Sequence, residues 1–314
     1  MMKQLNKTNL GWLILIALMV VVLFVGVSSN VISPFYQITL VTILINVILA
    51  IGLNLVIGFS GQFSLGHAGF MAIGAYSGAI IGDKIEGLPG FFAGLFVGMF
   101  ISIVVALIVG IPTLRLKGDY LAIATLGVAE IIRILILNMG DLTNGARGIS
   151  GISFPFESNM SFIMVLFLIV IVTSIITINY IHSSPGRATI AIREDEIAAE
   201  SMGVNATTYK VIAFMIGAAT ASIAGSLYGI YFSVITPGDF TFQKSIDVLI
   251  IVVFGGIGSV TGTIVAAVVL GVLNTYLQSF GELRMIFYSL AIIAIMVFRP
   301  GGLLGNREFT MSSL

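Results

Sequence analysis

Ten apolar stretches follow one another along this chain, and most are long enough to cross a membrane. They cover residues 11–28, 36–58, 65–82, 90–112, 119–139, 160–181, 211–235, 244–258, 261–280 and 285–299. A helix of about 20 apolar residues crosses the hydrocarbon core of a bilayer. The pattern therefore predicts an all-α polytopic membrane protein with about ten transmembrane helices, the range being eight to ten. The stretches 244–258 and 285–299 are short, so we expect them to be tilted, half-spanning or re-entrant.

The composition excludes a soluble protein of this length. Hydrophobic residues make up 58% of the 314 residues and charged residues only 9%, whereas soluble domains need roughly a quarter. The chain has no cysteine and two histidines, His67 and His182, in separate segments. Disulfides, thiolate catalysis and a metal site are therefore not expected, and the zero net charge gives no reason to expect nucleic acid binding.

The basic residues predict the orientation, because cytoplasmic loops are enriched in lysine and arginine. With ten spans and both termini in the cytoplasm, nine basic residues lie inside and four outside. The inside set is Lys3, Lys7, Arg115, Lys117, Arg187, Arg193, Lys210, Arg299 and Arg307, and the outside set is Lys84, Arg147, Lys244 and Arg284. The start of the chain resembles a signal peptide, but equally apolar segments follow, which favours an uncleaved first span.

Two glycine-rich clusters interrupt apolar runs, one in each half of the chain. They are GFSGQFSLGHAG at 58–69 and FGGIGSVTG at 254–262. Irregular backbone at membrane depth is tolerated only where it is covered by protein or lines a cavity. Such paired interruptions indicate a solute path, and tight helix packing with short turns is the alternative.

Six polar residues within the apolar segments are candidates for the translocation pathway. Asn54, Gln62, Ser64 and His67 surround the first glycine cluster, where they either contact a polar solute or bond neighbouring helices. Glu130 and Arg133 are three residues apart and share one helix face. They form a polar patch on the route or an ion pair that locks two helices, unless Arg133 reaches the membrane interface instead.

The segment from Tyr180 to Lys210, here called the charged segment, is rich in charged residues, whereas the chain on both sides of it is almost uncharged. Pro185 and Gly186 end the preceding helix, and a polar helix is predicted from Arg187 to Met202. Gly203 fits a left-handed C-cap, and Asn205 fits the N-cap of the next helix. The segment is either a docking element for a soluble partner or a solvated connector. The sequence has no G-x-x-x-x-G-K-[ST] motif, so any ATPase that drives this protein must be another chain.

Four stretches in the same order resemble the permeases of branched-chain amino acid ABC transporters, specifically the M-type subunit. They are LNLVIGFSGQFSLGHAGFMAIGAY (Leu53–Tyr76), LKGDYLAIATLGVAEIIRIL (Leu116–Leu135) followed by LTNGARGISGI, GRATIAIREDEIAAESMGVN (Gly186–Asn205), and VLIIVVFGGIGSVTGTIVAAVVLGVL (Val248–Leu273). The resemblance covers about residues 46–305.

The resemblance implies an importer subunit in the plasma membrane, without a catalytic site, cofactor or metal of its own. It implies a single permease domain over 1–314 that pairs with a second homologous permease and with two cytoplasmic ATPases. An extracytoplasmic binding protein would deliver leucine, isoleucine or valine. The coupling loop 182–210 would dock on the ATPase through Arg193, Glu194, Asp195, Glu196, Ala198, Ala199 and Gly203. Relative to the wider importer pattern E-A-A-x-x-x-G, Ile197 takes the acidic position and Glu196 lies one residue early.

Two other functions stay open at this point. Importers of urea and short-chain amides use related permeases, so the solute is the least constrained part of the prediction. A secondary transporter is the alternative from another class, with Glu130 and Asp247 as proton or sodium sites.

Overall fold

A computed structural model describes residues 33–116 and 118–283, followed by positions 286, 289, 290, 293, 297, 301–303 and 305. The predicted spans 11–28 and, for the most part, 285–299 lie outside the described residues. The helices are α1 Pro34–Asn54, α2 His67–Lys84, α3 Leu88–Thr113, α4 Asp119–Asn138, α5 Asn159–His182, α6 Ser184–Glu194, α7 Glu196–Ser201, α8 Ala206–Phe232, α9 Phe242–Gly255 and α10 Val260–Leu277. Two short strands, β1 Ile149–Ser150 and β2 Val234–Ile235, pair antiparallel.

Six helices of the described part of the chain are long and apolar enough to cross a membrane: Pro34–Phe59, Leu88–Thr113, Asp119–Asn138, Asn159–His182, Ala206–Phe232 and Val260–Leu277. The prediction of an all-α membrane protein is confirmed, whereas the count of ten is not established. Of the predicted segments, 244–258 forms α9 with only 14 residues. The segment 65–82 forms α2, whose hydropathy is lowered by glycines and by Asp83 and Lys84 at its end.

Helix α2 lies at the centre of the bundle, between α3 and α8, and the three helices pack against one another through small residues. A Cβ on Gly74 of α2 would lie 1.9 Å from the carbonyl oxygen of Ser222 on α8, and one on Gly225 would lie 1.9 Å from the carbonyl oxygen of Met71. A Cβ on Gly94 of α3 would lie 2.9 Å from the Cα of Gly78. Small side chains allow this close approach of membrane helices. Because α3 and α8 cover it, α2 needs no lipid-compatible surface.

Helix α1 is the second central element, and every residue from 47 to 60 is buried. It packs on α8, α10, α5 and α9. Large apolar side chains are exposed instead on the outer faces of α3, α4 and α5, among them Phe96, Phe100, Ile123, Leu135 and Leu168. An apolar surface around a packed interior is what a lipid environment requires.

The bundle has two ends that are distinguished by their contacts. At one end, here called the α6 end, Arg193 of α6 contacts Gly58 after α1, and Asn54 contacts the turn between α9 and α10. At the opposite end, here called the strand end, β1 follows α4 and pairs with β2, which follows α8. The loop 140–151 contains two 3₁₀ turns and β1 and lies at the strand end.

Candidate functional site

The first glycine cluster forms a break between α1 and α2 at the α6 end. Helix α1 continues as a π-helical turn, Leu55–Phe59, in which the Ser60 amide donates to the Leu55 carbonyl at 3.1 Å. Residues 60–66, here called the connector, are non-helical until α2 begins at His67. Five of the seven connector positions are buried or half-buried. π-helical turns are frequent at functional sites.

The second glycine cluster forms another break, and Asn54 joins it to the first. Helix α9 ends at Gly255, and the turn needs positive φ at Gly256 (116°) and Gly258 (88°). The buried Asn54 amide donates to the Ser259 carbonyl and to Thr263 Oγ1, both at 2.8 Å. Its Oδ1 accepts from the Gly258 amide at 2.9 Å. A Cβ on Gly58 would lie 2.4 Å from the Gly258 nitrogen, so the two glycine clusters, predicted only as separate interruptions, are in direct contact.

Side chains from two other helices satisfy main-chain amides around the start of α2. The Leu65 amide donates to Thr125 Oγ1 of α4 at 3.0 Å, and the Ala68 amide donates to Ser245 Oγ of α9 at 3.0 Å. The first amides of a helix have no partner within it, so Ser245 caps the Ala68 amide from outside the helix, while Thr125 satisfies the non-helical amide of Leu65. Thr125 and Ser245 were not predicted as site residues, because their only signal in the sequence is a hydroxyl residue in an apolar stretch.

The four polar residues of the first cluster differ in how their hydrogen-bonding atoms are used. Asn54 bonds neighbouring helices, which was one of the two alternatives, and Ser64 Oγ accepts locally from the Gly66 amide at 3.3 Å. Gln62 donates to Ser60 Oγ at 2.6 Å, but its Oε1 is buried without a hydrogen-bond partner. His67 Nε2 is likewise buried and unpaired. Gln62 and His67 therefore keep unused polar atoms at the break.

Glu130 and Arg133 form an ion pair within α4, with both carboxylate oxygens accepting from the guanidinium. Both residues belong to one helix, so the pair itself does not lock two helices together. The side chain of Glu130 is 40% exposed and that of Arg133 23%. The pair lies in the second half of a membrane-competent helix, among the exposed apolar residues Ile131 and Ile134. This face of α4 therefore presents charge at membrane depth.

The charged segment folds as two helices, so the prediction of one helix from Arg187 to Met202 is wrong. Asp195 has extended backbone, and its Oδ1 accepts from the Ala198 amide at 3.0 Å as the N-cap of α7. The predicted caps are confirmed, because Gly203 has φ +86° and Asn205 Oδ1 accepts from the Thr208 amide at 3.0 Å.

The predicted docking residues do not all face outward. Glu194, Asp195, Ala198 and Gly203 are exposed, whereas Ala199 is buried. Glu196 is bound by Lys210 Nζ at 2.7 Å. Ile197 and Met202, which were not predicted as docking residues, are 75% and 84% exposed. The outer surface of the segment is thus acidic with two apolar side chains.

Arg193 faces the bundle. Its Nη1 donates to the Gly58 carbonyl at 2.6 Å, and its other donors pair with the Glu194 carboxylate. A Cβ on Gly61, where φ is +68°, would lie 2.9 Å from Arg193 Cγ. The arginine therefore lies against the connector and joins α6 to the end of α1.

Comparison with known proteins places the sequence in a family. A family model described as the permease component of branched-chain amino acid transport systems matches residues 35–296. This chain belongs to that permease family. Its relatives include the high-affinity branched-chain amino acid transport system permease protein LivM of Salmonella typhimurium, 38% identical over 83% of this chain and 68% of the relative. LivM of Escherichia coli is 37% identical with the same coverage. LivH of Escherichia coli is 26% identical over 83% of this chain and 91% of the relative.

The M-type resemblance is confirmed by the LivM matches, and this branched-chain amino acid permease is a multi-pass protein of the plasma membrane. No solved structure matches the chain. Among the described residues of the permease, no group of three or more His, Asp or Glu side chains is placed to hold a metal ion. The polar features of the permease are instead the two joined breaks, the ion pair on α4 and the segment α6–α7.

Proposed function

We propose that this chain is the M-type membrane subunit of an ATP-driven importer of leucine, isoleucine and valine. The observation that carries this proposal is the 38% identity to LivM, extending over 83% of the chain. In the proposed complex the chain pairs with a second, homologous permease. Two cytoplasmic ATPases supply energy, and an extracytoplasmic binding protein delivers the solute. The chain contributes the route and the conformational change, without catalysing a reaction itself.

The proposed topology has ten spans with both termini in the cytoplasm, and the α6 end is the cytoplasmic end. The contact between Arg193 and Gly58 and that between Asn54 and Gly258 support it, because the end of α1, the start of α2 and the α9–α10 turn all lie beside the charged segment. In this arrangement α2 and α9 are inner helices that are covered by their neighbours. The predicted segments 11–28 and 285–299 would supply the remaining two spans.

The proposed docking surface is the outer side of α6–α7. Glu194, Asp195 and Ala198 are exposed there, and Gly203 ends the segment. We add Ile197 and Met202, because exposed apolar side chains surrounded by charge are suited to a groove on a partner protein. Glu196 supports this surface through Lys210, and buried Ala199 packs beneath it. Arg193 is not part of this surface, because its guanidinium faces the bundle and donates to the Gly58 carbonyl.

The proposed route passes the α4 ion pair and the break. A lone charge at the bilayer centre costs about 2.5–3.5 kcal/mol on insertion scales, so the half-exposed pair of Glu130 and Arg133 is better placed facing water or the second permease than lipid. The unpaired Gln62 Oε1 and His67 Nε2 offer hydrogen-bonding atoms at the α6 end. Asn54 and Ser64 shape the route indirectly, since their polar atoms are bonded to the protein.

Transport by purified components tests the proposal. The chain, its companion permease, the ATPases and the binding protein are reconstituted in proteoliposomes, and uptake of labelled leucine is measured with ATP on the ATPase side. Uptake should require ATP and should stop when the ATPase Walker lysine is replaced. Uptake driven by an ion gradient without ATP would support a secondary transporter instead. Uptake of urea or acetamide in preference to leucine would refute the assignment of the solute.

A further inference from the structure

The end of α1 needs an external partner, because the last carbonyls of a helix have no amide partner within it and carry its negative dipole end. At Gly58 this partner is a guanidinium group, Arg193 Nη1, at 2.6 Å. Hydrogen bonds to charged donors are about twice as strong as those between neutral groups. The bond joins α6 and the π-helical turn, which are 135 residues apart in sequence.

The base of Arg193 is held firmly in α6. Ile192 is 4% exposed and packs with Ala199 and Ala206, at the junction of α6, α7 and α8. Thr189, one turn earlier on α6, shares a hydrogen bond of 2.8 Å with the Tyr180 hydroxyl of α5. A displacement of α6 therefore moves the guanidinium with it.

The other end of the contact is the break on which several helices meet. Gly58 lies in the π-helical turn and is separated from the connector by Phe59 alone, and a Cβ on Gly58 would lie 2.1 Å from Asn54 Oδ1. The connector leads to Gln62 and His67 with their unpaired atoms. A pull on Gly58 would thus act at the junction of α1 with the α9–α10 turn, next to the proposed route.

We propose that Arg193 is a positioning residue that transmits movement of the coupling loop 182–210 to the connector through its bond to the Gly58 carbonyl. It is then not a docking residue for the ATPase. This inference rests on the proposed function. It adds a direct link from α6 to the break, in parallel with the chain connections through α5 and α8. It also reassigns a residue whose position in the charged segment predicted contact with the partner.

The first test separates docking from transmission. Arg193→Gln is compared with wild type and with Arg187→Gln, because Arg187 lies on the same helix and donates only to the nearby His182 carbonyl at 2.8 Å. Co-purified ATPase and leucine uptake per ATP hydrolysed are measured. Arg193→Gln should retain the ATPase while uptake per ATP falls about tenfold, the effect expected when one charged hydrogen bond stabilises one of two conformations. Arg187→Gln should resemble wild type.

The second test replaces the hydrogen bond by a covalent bond, for which the cysteine-free chain is a suitable background. A Cβ on Gly61 would lie 3.4 Å from Arg193 Cβ, close to the separation of about 3.5–4.5 Å found in disulfides. Gly61→Cys combined with Arg193→Cys should therefore form a disulfide on oxidation. Uptake per ATP should be low when the pair is reduced and should recover when it is oxidised, whereas Arg193→Cys alone should not recover.

The outcomes are distinct. Loss of co-purified ATPase in Arg193→Gln would make Arg193 a docking residue and overturn the inference, as would unchanged uptake per ATP. A disulfide that forms without recovery would overturn the link, and so would failure of the disulfide to form in a double variant that still assembles with the ATPase. If wild type itself imports no leucine with ATP, the proposed function fails, which is a separate result.

Discussion

Replacement of Asn54 by alanine removes the side chain that joins the two breaks. Asn54 has no solvent exposure and makes three hydrogen bonds, to the Ser259 carbonyl, to Thr263 Oγ1 and from the Gly258 amide. The variant does not affect the three partners equally. The Ser259 carbonyl still accepts from Thr263 Oγ1 at 2.8 Å, whereas the Gly258 amide loses the acceptor that Asn54 supplied.

The expected cost follows from these contacts. Hydrogen bonds between membrane helices contribute about 0.6 kcal/mol on average in double-mutant cycles and about 1–2 kcal/mol in model peptides. At the average from double-mutant cycles, three of them give about 2 kcal/mol, and the amide left without its acceptor adds about 1 kcal/mol. Asn54→Ala should therefore lower the free energy of unfolding by about 3 kcal/mol.

The measurement is SDS-induced unfolding of the purified chain in mixed micelles, followed by circular dichroism. Asn138→Ala is the matched control, because Asn138 is exposed and its amide donates to the Ile134 carbonyl of the same helix at 2.7 Å. Surface substitutions usually change stability by less than about 0.5 kcal/mol. If Asn54→Ala is no more destabilising than Asn138→Ala, the contact between the breaks does not carry the energy assigned to it.

Three further predictions follow from single contacts. Glu130→Leu alone should reduce the amount of folded protein in membranes more than the double variant Glu130→Leu/Arg133→Leu, because it leaves Arg133 unpaired and an unpaired charge at the bilayer centre costs about 2.5–3.5 kcal/mol. The amount is measured on immunoblots of membranes, and a double variant that is less abundant than Glu130→Leu would contradict this. Gly74→Ala should lower the thermal unfolding temperature, since its Cβ would lie 1.9 Å from a carbonyl of α8, whereas Gly82→Ala on the same helix meets nothing within 4 Å and should not. Asp195→Ala removes the N-cap of α7, worth about 1 kcal/mol, and should weaken ATPase co-purification more than Asp195→Asn, which keeps a capping oxygen.

The sequence predicted best the features that depend on local chemistry. Gly203 and Asn205 were expected at helix ends, and both act there, because the left-handed backbone and the capping oxygen depend only on neighbouring residues. Both glycine clusters were expected to interrupt apolar runs, and helices do end at Phe59 and Gly255. The apolar composition was sufficient for the membrane assignment, since a soluble fold of this length cannot cover its surface with so few charged residues.

Features that depend on distant partners were not accessible from the sequence. The contact between Asn54 and Ser259 joins residues 205 positions apart, and neither residue type specifies the other. The break at Asp195 was missed because the charged stripe fits one continuous helix, whereas the aspartate side chain serves as a cap. The direction of Arg193 was missed because an arginine in a charged segment is expected to face water. Its acceptor is the main-chain carbonyl of Gly58, which the side chains in the sequence do not reveal.

The connector shows why a membrane protein places irregular backbone where several helices meet. Its main-chain groups cannot bond to lipid, so they need partners within the protein. The partners found at the break and its borders come from α4 through Thr125, from α9 through Ser245, from the α9–α10 turn through Asn54 and from α6 through Arg193. An uninterrupted helix would need none of these contacts, and a movement of its neighbours would not change its main-chain hydrogen bonds. Because the break and its borders depend on all four, a change in the position of α6 relative to α4 and α9 must alter their hydrogen bonds. In the proposed importer this makes the break the place where docking and passage are coupled.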